Sequence, residues 1–217
     1  VALRDRASFL HHLGRSAEAV RAYDKAIENC RGCPEESRLR QDRALAASGA
    51  GQHDLALREV RDLIDKQPRG AGLHQLLGEI LQAKGDTVGA RRAFEEESRF
   101  FPGDPIPHLS LGRLALSRKR MAEAEAAFRR AVAAHPKSAD ALVTLSEFLS
   151  QAKRPEEAET LVDQALALQP GHPQANAQKG YLCSATRRFD LAVQHYVRAL
   201  EARPNYPATL ANLGAVY

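Results

Sequence analysis

The chain has no tryptophan, and aromatic residues make up only 6% of its 217 positions. With alanine and leucine abundant instead, this scarcity favours helix packing over sheet packing, which draws on aromatic and β-branched side chains. No apolar run approaches the roughly 20 residues that a bilayer-spanning helix needs, so no direct membrane insertion is expected. No charged-then-apolar leader opens the sequence. Residue 1 is Val rather than Met, so that absence carries no conclusion. Three cysteines in 217 residues exclude a disulfide-dense secreted scaffold and leave the redox compartment open.

Charge of one sign is also never gathered into a stripe. The formal net charge is +4, yet acids and bases are interspersed throughout. A nucleic-acid binder more often collects its bases along one face, so no nucleic-acid partner is expected. Glycine-rich phosphate loops, triad spacings and paired carboxylates are missing too, which argues against an enzyme and against any cofactor. What remains is 44% apolar and 27% charged, a composition that suits a soluble folded chain in the cytoplasm or the periplasm. Arg is preferred to Lys, as in a GC-rich, bacterial coding sequence.

The organising feature is an internal period of 34 residues. Units run at 37–70, 71–104, 105–138, 139–172 and 173–206, with an earlier copy at about 1–33 and a partial one at 207–217. Pro34, Glu35 and Glu36 interrupt the phase after the first copy. The twentieth position is always Ala: Ala19, Ala56, Ala90, Ala124, Ala158 and Ala192. The eighth is small: Ala7, Ala44, Gly78, Gly112, Ser146, Gly180 and Gly214. The twenty-fourth is bulky: Tyr23, Val60, Phe94, Phe128, Val162 and Tyr196. Pro closes five units, at Pro68, Pro102, Pro136, Pro170 and Pro204. Positions 4, 7, 8 and 11 share one helical face, which predicts two short amphipathic helices per unit. Small residues at 8 and 20 let the pair approach closely. Gly14, Gly51 and Gly85 fall at the turn between the helices, where a left-handed residue ends a helix cheaply. One pair cannot bury its own face, so neighbouring pairs must stack.

This pattern resembles the tetratricopeptide repeat (TPR), W-x2-L-G-x2-Y…A-x3-F…P, over nearly the whole chain. The departures are the missing Trp, Arg6, Arg43 and Lys179 in place of Leu, and Glu97 at a usually small core position. The unbroken 34-residue spacing argues against the longer pentatricopeptide RNA-reading unit. The resemblance implies an all-α, right-handed superhelical α-solenoid, a single array of six repeats plus the first helix of a seventh. It also implies a concave groove that takes a protein or peptide segment. The expected function is a non-enzymatic interaction scaffold within a larger assembly. The alternative is a recruiting region of a larger enzyme.

Helix geometry selects the groove residues, because positions 2, 5, 9, 12 and 13 point away from the packing stripe. The candidates are Arg38, Gln41, Gln75, Glu79, Ile106, Leu109, Arg113, Leu116, Val143, Glu147, Gln178 and Tyr181. Leu109, Leu116 and Tyr181 are expected to be exposed anchors for a partner. The carboxylate clamp of chaperone-binding relatives would need Lys and Asn where Arg4, Ser8, Asp42, Gly72 and Leu76 stand, or Leu109, Arg113, Thr144, Gln174 and Gln178. Neither window supplies it. The Asn ladder of O-linked N-acetylglucosamine transferases is represented by Asn212 alone.

Five local oddities remain. Cys30-Arg-Gly-Cys33 reads as a redox pair, a small disulfide or half a zinc site; with His11 and His12 roughly 15 Å away, a structural or incidental pair is the better reading. Cys183 reads as a buried inert thiol, and His74 and His108 as half-buried packing residues in the Trp position, not metal ligands. Glu97 needs a partner, for which Arg99 or Arg113 is available. Leu210, Leu213 and Tyr217 form an uncapped face, which predicts self-association there or a longer protein of which this is an excerpt.

Overall fold

A computed structural model describes residues 2–216. Among these residues there are thirteen α-helices and no strand. They are α1 (Ala2–His12), α2 (Ser16–Glu28), α3 (Glu36–Gly49), α4 (His53–Lys66), α5 (Leu73–Lys84) and α6 (Thr87–Phe100) in a first compact unit ending at Pro102. A second unit, from Gly103 onward, holds α7 (Ile106–Ser117), α8 (Met121–Ala134), α9 (Ala139–Gln151), α10 (Pro155–Leu168), α11 (Pro173–Ala185), α12 (Phe189–Ala202) and α13 (Pro207–Gly214). Each predicted repeat thus contributes an odd-numbered first helix and an even-numbered second one.

The helices begin and end where local chemistry allows. Pro173 and Pro207 start α11 and α13, where a missing N–H costs nothing. Asp86 and Ser138 accept from the backbone N–H groups of Gly89 and Ala141 and so cap α6 and α9. The turns within pairs place Gly14, Gly51 and Gly85 in the left-handed region, at φ 74°, 76° and 91°. The corresponding positions of later repeats carry Lys119, Lys153 and Arg187 at φ 57°, 61° and 59°. A side chain in that region costs about 1–2 kcal/mol. The chain accepts it because the next residue closes the hairpin, Arg154 N–H on Leu149 C=O at 2.9 Å and Arg188 N–H on Cys183 C=O at 2.8 Å.

Within a pair, the decisive contact joins positions 8 and 24. A Cβ placed on Gly78, Gly112 or Gly180 would lie under 3.0 Å from the ring of Phe94, Phe128 or Tyr196 respectively. Those rings are almost wholly buried, so they have nowhere to move. Where the twenty-fourth residue shrinks to Val60 or Val162, the eighth grows to Ala44 or Ser146. The buried Ser146 hydroxyl donates to Ala158 C=O at 2.7 Å, so its polar atom is satisfied. Ala7 under Tyr23 is the one pair outside this volume exchange. In the second unit these contacts merge into a core that runs from Leu109 to Leu182 and includes Phe128, Phe148 and Val162.

Two of the cations that replace leucine at position 7 serve neighbouring repeats. Arg43 reaches back to Asp24 of α2 at 2.7 Å and shares the buried Glu59 with Arg40. Lys179 binds Asp163 at 2.6 Å and Glu159 at 2.9 Å, both on α10. Arg6, the third, stays exposed. A second ladder joins position 16 to position 21 of the preceding repeat, Arg154 to Glu125 at 2.8 Å and Arg188 to Glu159 at 2.7 Å. At the phase slip, Cys30 and Cys33 form a disulfide within the loop joining α2 to α3.

The volume exchange is testable by a double-mutant cycle in urea. Gly112→Ala alone is expected to cost about 1–3 kcal/mol by overpacking. Adding Phe128→Val should recover part of that loss, so the double variant is more stable than additivity allows. Strict additivity of the two substitutions would refute the coupling.

Candidate functional site

The outward faces of the odd-numbered helices carry most of the residues selected from the sequence. In the first unit, Arg38 on α3 is exposed and sits 3.3 Å from Asp42, while Gln41 beside it is half-buried. On α5, the Gln75 side chain donates to Glu79 at 2.8 Å. All four residues are polar, and Gln75 and Glu79 are bonded to each other.

The second unit has a true hollow. It opens on the faces of α9, α11 and α13, has a volume of about 340 Å³, and is lined by Glu147, Ser150, Gln151, Ala177, Gln178, Tyr181, Tyr206, Ala208, Thr209 and Asn212. The lining steps back by about one helical turn from each helix to the next: positions 9, 12 and 13 of α9, then 5, 6 and 9 of α11, then 2, 3 and 6 of α13. Gln178 is held by its amide N–H on Ser146 Oγ at 3.5 Å, and Tyr181 is 49% exposed at the mouth. Burial pushes the Glu147 carboxyl above the usual carboxylate range, and the charge of Arg113 on α7 pulls it partly back. Burial and the Glu147 charge likewise raise the Tyr206 phenol, against Arg203, whose guanidinium lies 5.1 Å from that ring's centre. The lining contains neither histidine nor cysteine. It offers hydrogen bonds, one carboxyl and two aromatic rings rather than a nucleophile paired with a base.

Several sequence expectations are corrected. Leu109 is 5% exposed and Val143 3%, so both belong to the core. Both join the core cluster that spans several repeats, a burial that the stripe facing a helix's own partner does not reveal. Gln178 is nearly buried as well, and Leu116 is only half-exposed. Ile106, Arg113 and Tyr181 remain exposed. Leu213 packs with Val216 against Cys183, Ala192 and Tyr196, while Leu210 is 48% exposed; Tyr217 lies outside the described residues. Tyr206, Thr209 and Gln151 were missed; extending the groove positions onto the last helix reaches Ala208, whereas Thr209 and Asn212 stand at positions 3 and 6.

Glu97 is the sharpest correction. It pairs with neither Arg99 nor Arg113. Its carboxylate, 1% exposed, accepts from the N–H groups of Gly72 at 2.7 Å, His74 at 3.1 Å and Gln75 at 3.2 Å. Those are the orphan donors of the first turn of α5, so a side chain from α6 caps its partner helix. His74 is half-buried against Phe100, with ring centres 5.4 Å apart, and His108 is half-buried too. Burial, then Arg130, pushes the His108 imidazole down. Asn176, in the same Trp position, is fully buried; it donates to Pro170 C=O at 2.8 Å and accepts from His195 at 3.0 Å. Cys183 is a buried free thiol. Cys30, Cys33 and Glu35 hold possible ligand atoms within 4.8 Å, but the disulfide occupies both sulfurs.

Comparison with known proteins follows the same lines. Sequence profiles described as "Tetratricopeptide repeat" match residues 42–105, 115–179 and 173–206. No curated protein matches the sequence. A tetratricopeptide repeat protein from Parabacteroides merdae superposes at TM-score 0.68 with 14% identity, over 99% of this chain and 82% of its own. The APC/C hetero-tetramer Cut9-Hcn1 gives 0.65 with 18% identity over 99% of this chain, which spans only 42% of that one. YrrB, described as a TPR protein with an unusual peptide-binding site, gives 0.54 with 19% identity, over 88% of this chain and 96% of its own. Identities this low show the fold alone.

Glu97 and Glu147 predict opposite responses to one substitution. Glu97→Gln removes a charged acceptor and turns donors toward donors, so it should lower stability by about 1–3 kcal/mol. Amide exchange should quicken at residues 72–75. Glu147→Gln should raise stability at pH 7, because the folded state disfavours the charged carboxyl. That gain should shrink as pH falls through the raised pKa and vanish below the unfolded value, about 4.3. Chemical denaturation from pH 4 to pH 8 reads both; a Glu147→Gln difference that does not vary with pH would contradict the burial argument.

Proposed function

Because this chain belongs to the tetratricopeptide repeat family, we propose that it is a non-enzymatic interaction module that holds an extended or helical protein segment against its first helices. The carrying observation is the hollow of the second unit. It unites a partly desolvated carboxyl, two tyrosines and a wall of amides and hydroxyls on the face of α9, α11 and α13. Few polar anchors around an adaptable surface is how peptide grooves fix orientation. YrrB, of similar fold, is described as binding peptide. Exposed Ile106, Arg113 and Tyr181 extend that face along the second unit, and Arg38, Gln41, Gln75 and Glu79 give the first unit a polar counterpart.

A second reading makes the chain the recruiting region of a larger enzyme. This chain matches 42% of the Cut9-Hcn1 chain in fold, so an array of this kind can be part of a longer chain. The complete gene product separates the two readings by the presence or absence of a catalytic domain. Self-association through α13 is a further part of the proposal, since Leu210 leaves an apolar side chain in solvent. Light scattering should then show a concentration-dependent dimer that Leu210→Glu abolishes.

The groove assignment is tested by photo-cross-linking. A photoreactive residue at 181 or 113 should capture a protein segment, and one at 130, exposed on α8, should not. Arg113→Glu with Tyr181→Ala should lose that partner. Retention of every partner by the double variant, or equal capture at 130, would overturn the assignment.

A further inference from the structure

We propose that the hollow between α9, α11 and α13 is a socket for one cationic side chain, arginine in preference to lysine, presented by the bound protein segment. The inference rests on the groove reading above and adds the chemistry of what enters it. Glu147 is the only charged residue in the lining. Among the described residues no side chain donates it a hydrogen bond, and Arg113, whose charge reaches it, forms no ion pair with it. The carboxyl is therefore partly stripped of water without a compensating donor, a condition that an incoming cation relieves.

The rest of the lining selects among cations. Ser150, Thr209, Gln151, Gln178 and Asn212 supply oxygen acceptors, and Tyr181 and Tyr206 supply ring faces. A guanidinium presents five N–H donors in one plane and stacks on aromatic faces; an ammonium is compact and more strongly hydrated. Many acceptors around two rings match the first better than the second. About 340 Å³ is ample for one long side chain.

Other occupants fare worse. An acidic side chain would stand beside Glu147 with no Lys or Arg in the lining to receive it. An apolar one would cover the carboxyl and the amides without bonding them, leaving their desolvation uncompensated. Arg203 engages the Tyr206 ring, at 5.1 Å, rather than Glu147. The site is thus open to a cation from outside the chain.

The test is an NMR titration of the isotopically labelled 217-residue chain with Nα-acetyl-arginine methylamide, its neutral citrulline counterpart, and the corresponding lysine and glutamate compounds. The arginine compound should saturate shifts at residues 147–151, 177–181 and 206–212. Citrulline should bind about tenfold more weakly, the loss of one charge-assisted interaction. Glu147→Gln, with amide dispersion confirming its fold, should reduce arginine to the citrulline level. Glu147→Lys should transfer the preference to glutamate.

No shift at the hollow with arginine, equal binding of arginine and citrulline, or arginine selectivity surviving in Glu147→Gln would each overturn the socket. Cross-linking at 181 without arginine selectivity sinks the socket and leaves the groove. Arginine selectivity without cross-linking sinks the groove reading and leaves a site for free guanidinium compounds.

Discussion

How closely two helices can lie at a single contact, a small eighth residue beneath a bulky twenty-fourth, governs the whole of each repeat. Gly78, Gly112 and Gly180 stand against rings that are almost completely buried, so the separation of each pair is fixed by the absence of one methyl group. With that spacing set, the twentieth-position alanines are fully buried and the outward face of each first helix is defined by exclusion. Burying each ring contributes about 1.5–3 kcal/mol, and the same contact recurs in successive pairs. Stability in such a structure accumulates from neighbours rather than from one central core.

The fold was legible because its determinants repeat. Ala124 or Phe128 alone says little, but the same residue class every 34 positions says where a helix lies and which side is covered. The groove was less legible because burial there depends on a second contact. Leu109 and Val143 point away from their own partner helix and are still buried, within a core cluster that spans several repeats. Tyr181, four residues on from Ala177 on the same helix, escapes that contact and stays exposed.

Glu97 and Glu147 show where side-chain patterns stop being informative. Both are acids in places the pattern reserves for packing or contact. The first is satisfied by three backbone N–H groups, which carry no signature in residue identity. The second is half-buried beside hydroxyls and amides, and among the described residues no side chain donates to it. One is consumed by the architecture and the other is left over, a difference that appears only when the backbone is placed.

The inter-repeat ion pairs carry a consequence for the modularity of the chain. The pairs Arg154–Glu125 and Arg188–Glu159 use the same positions, so excising 139–172 would bring Arg188 opposite Glu125 and restore that link. The companion pair does not survive the excision. Lys179 would find Glu125 in the place of Glu159, but it would lose Asp163 and meet Arg129, which holds the corresponding place one repeat earlier. Similar modules can dock out of order during folding, a characteristic failure of repeat proteins. Here the wrong neighbour presents a like charge at a side chain that is only 13% exposed, so the repeats share one shape and are still numbered by their charges.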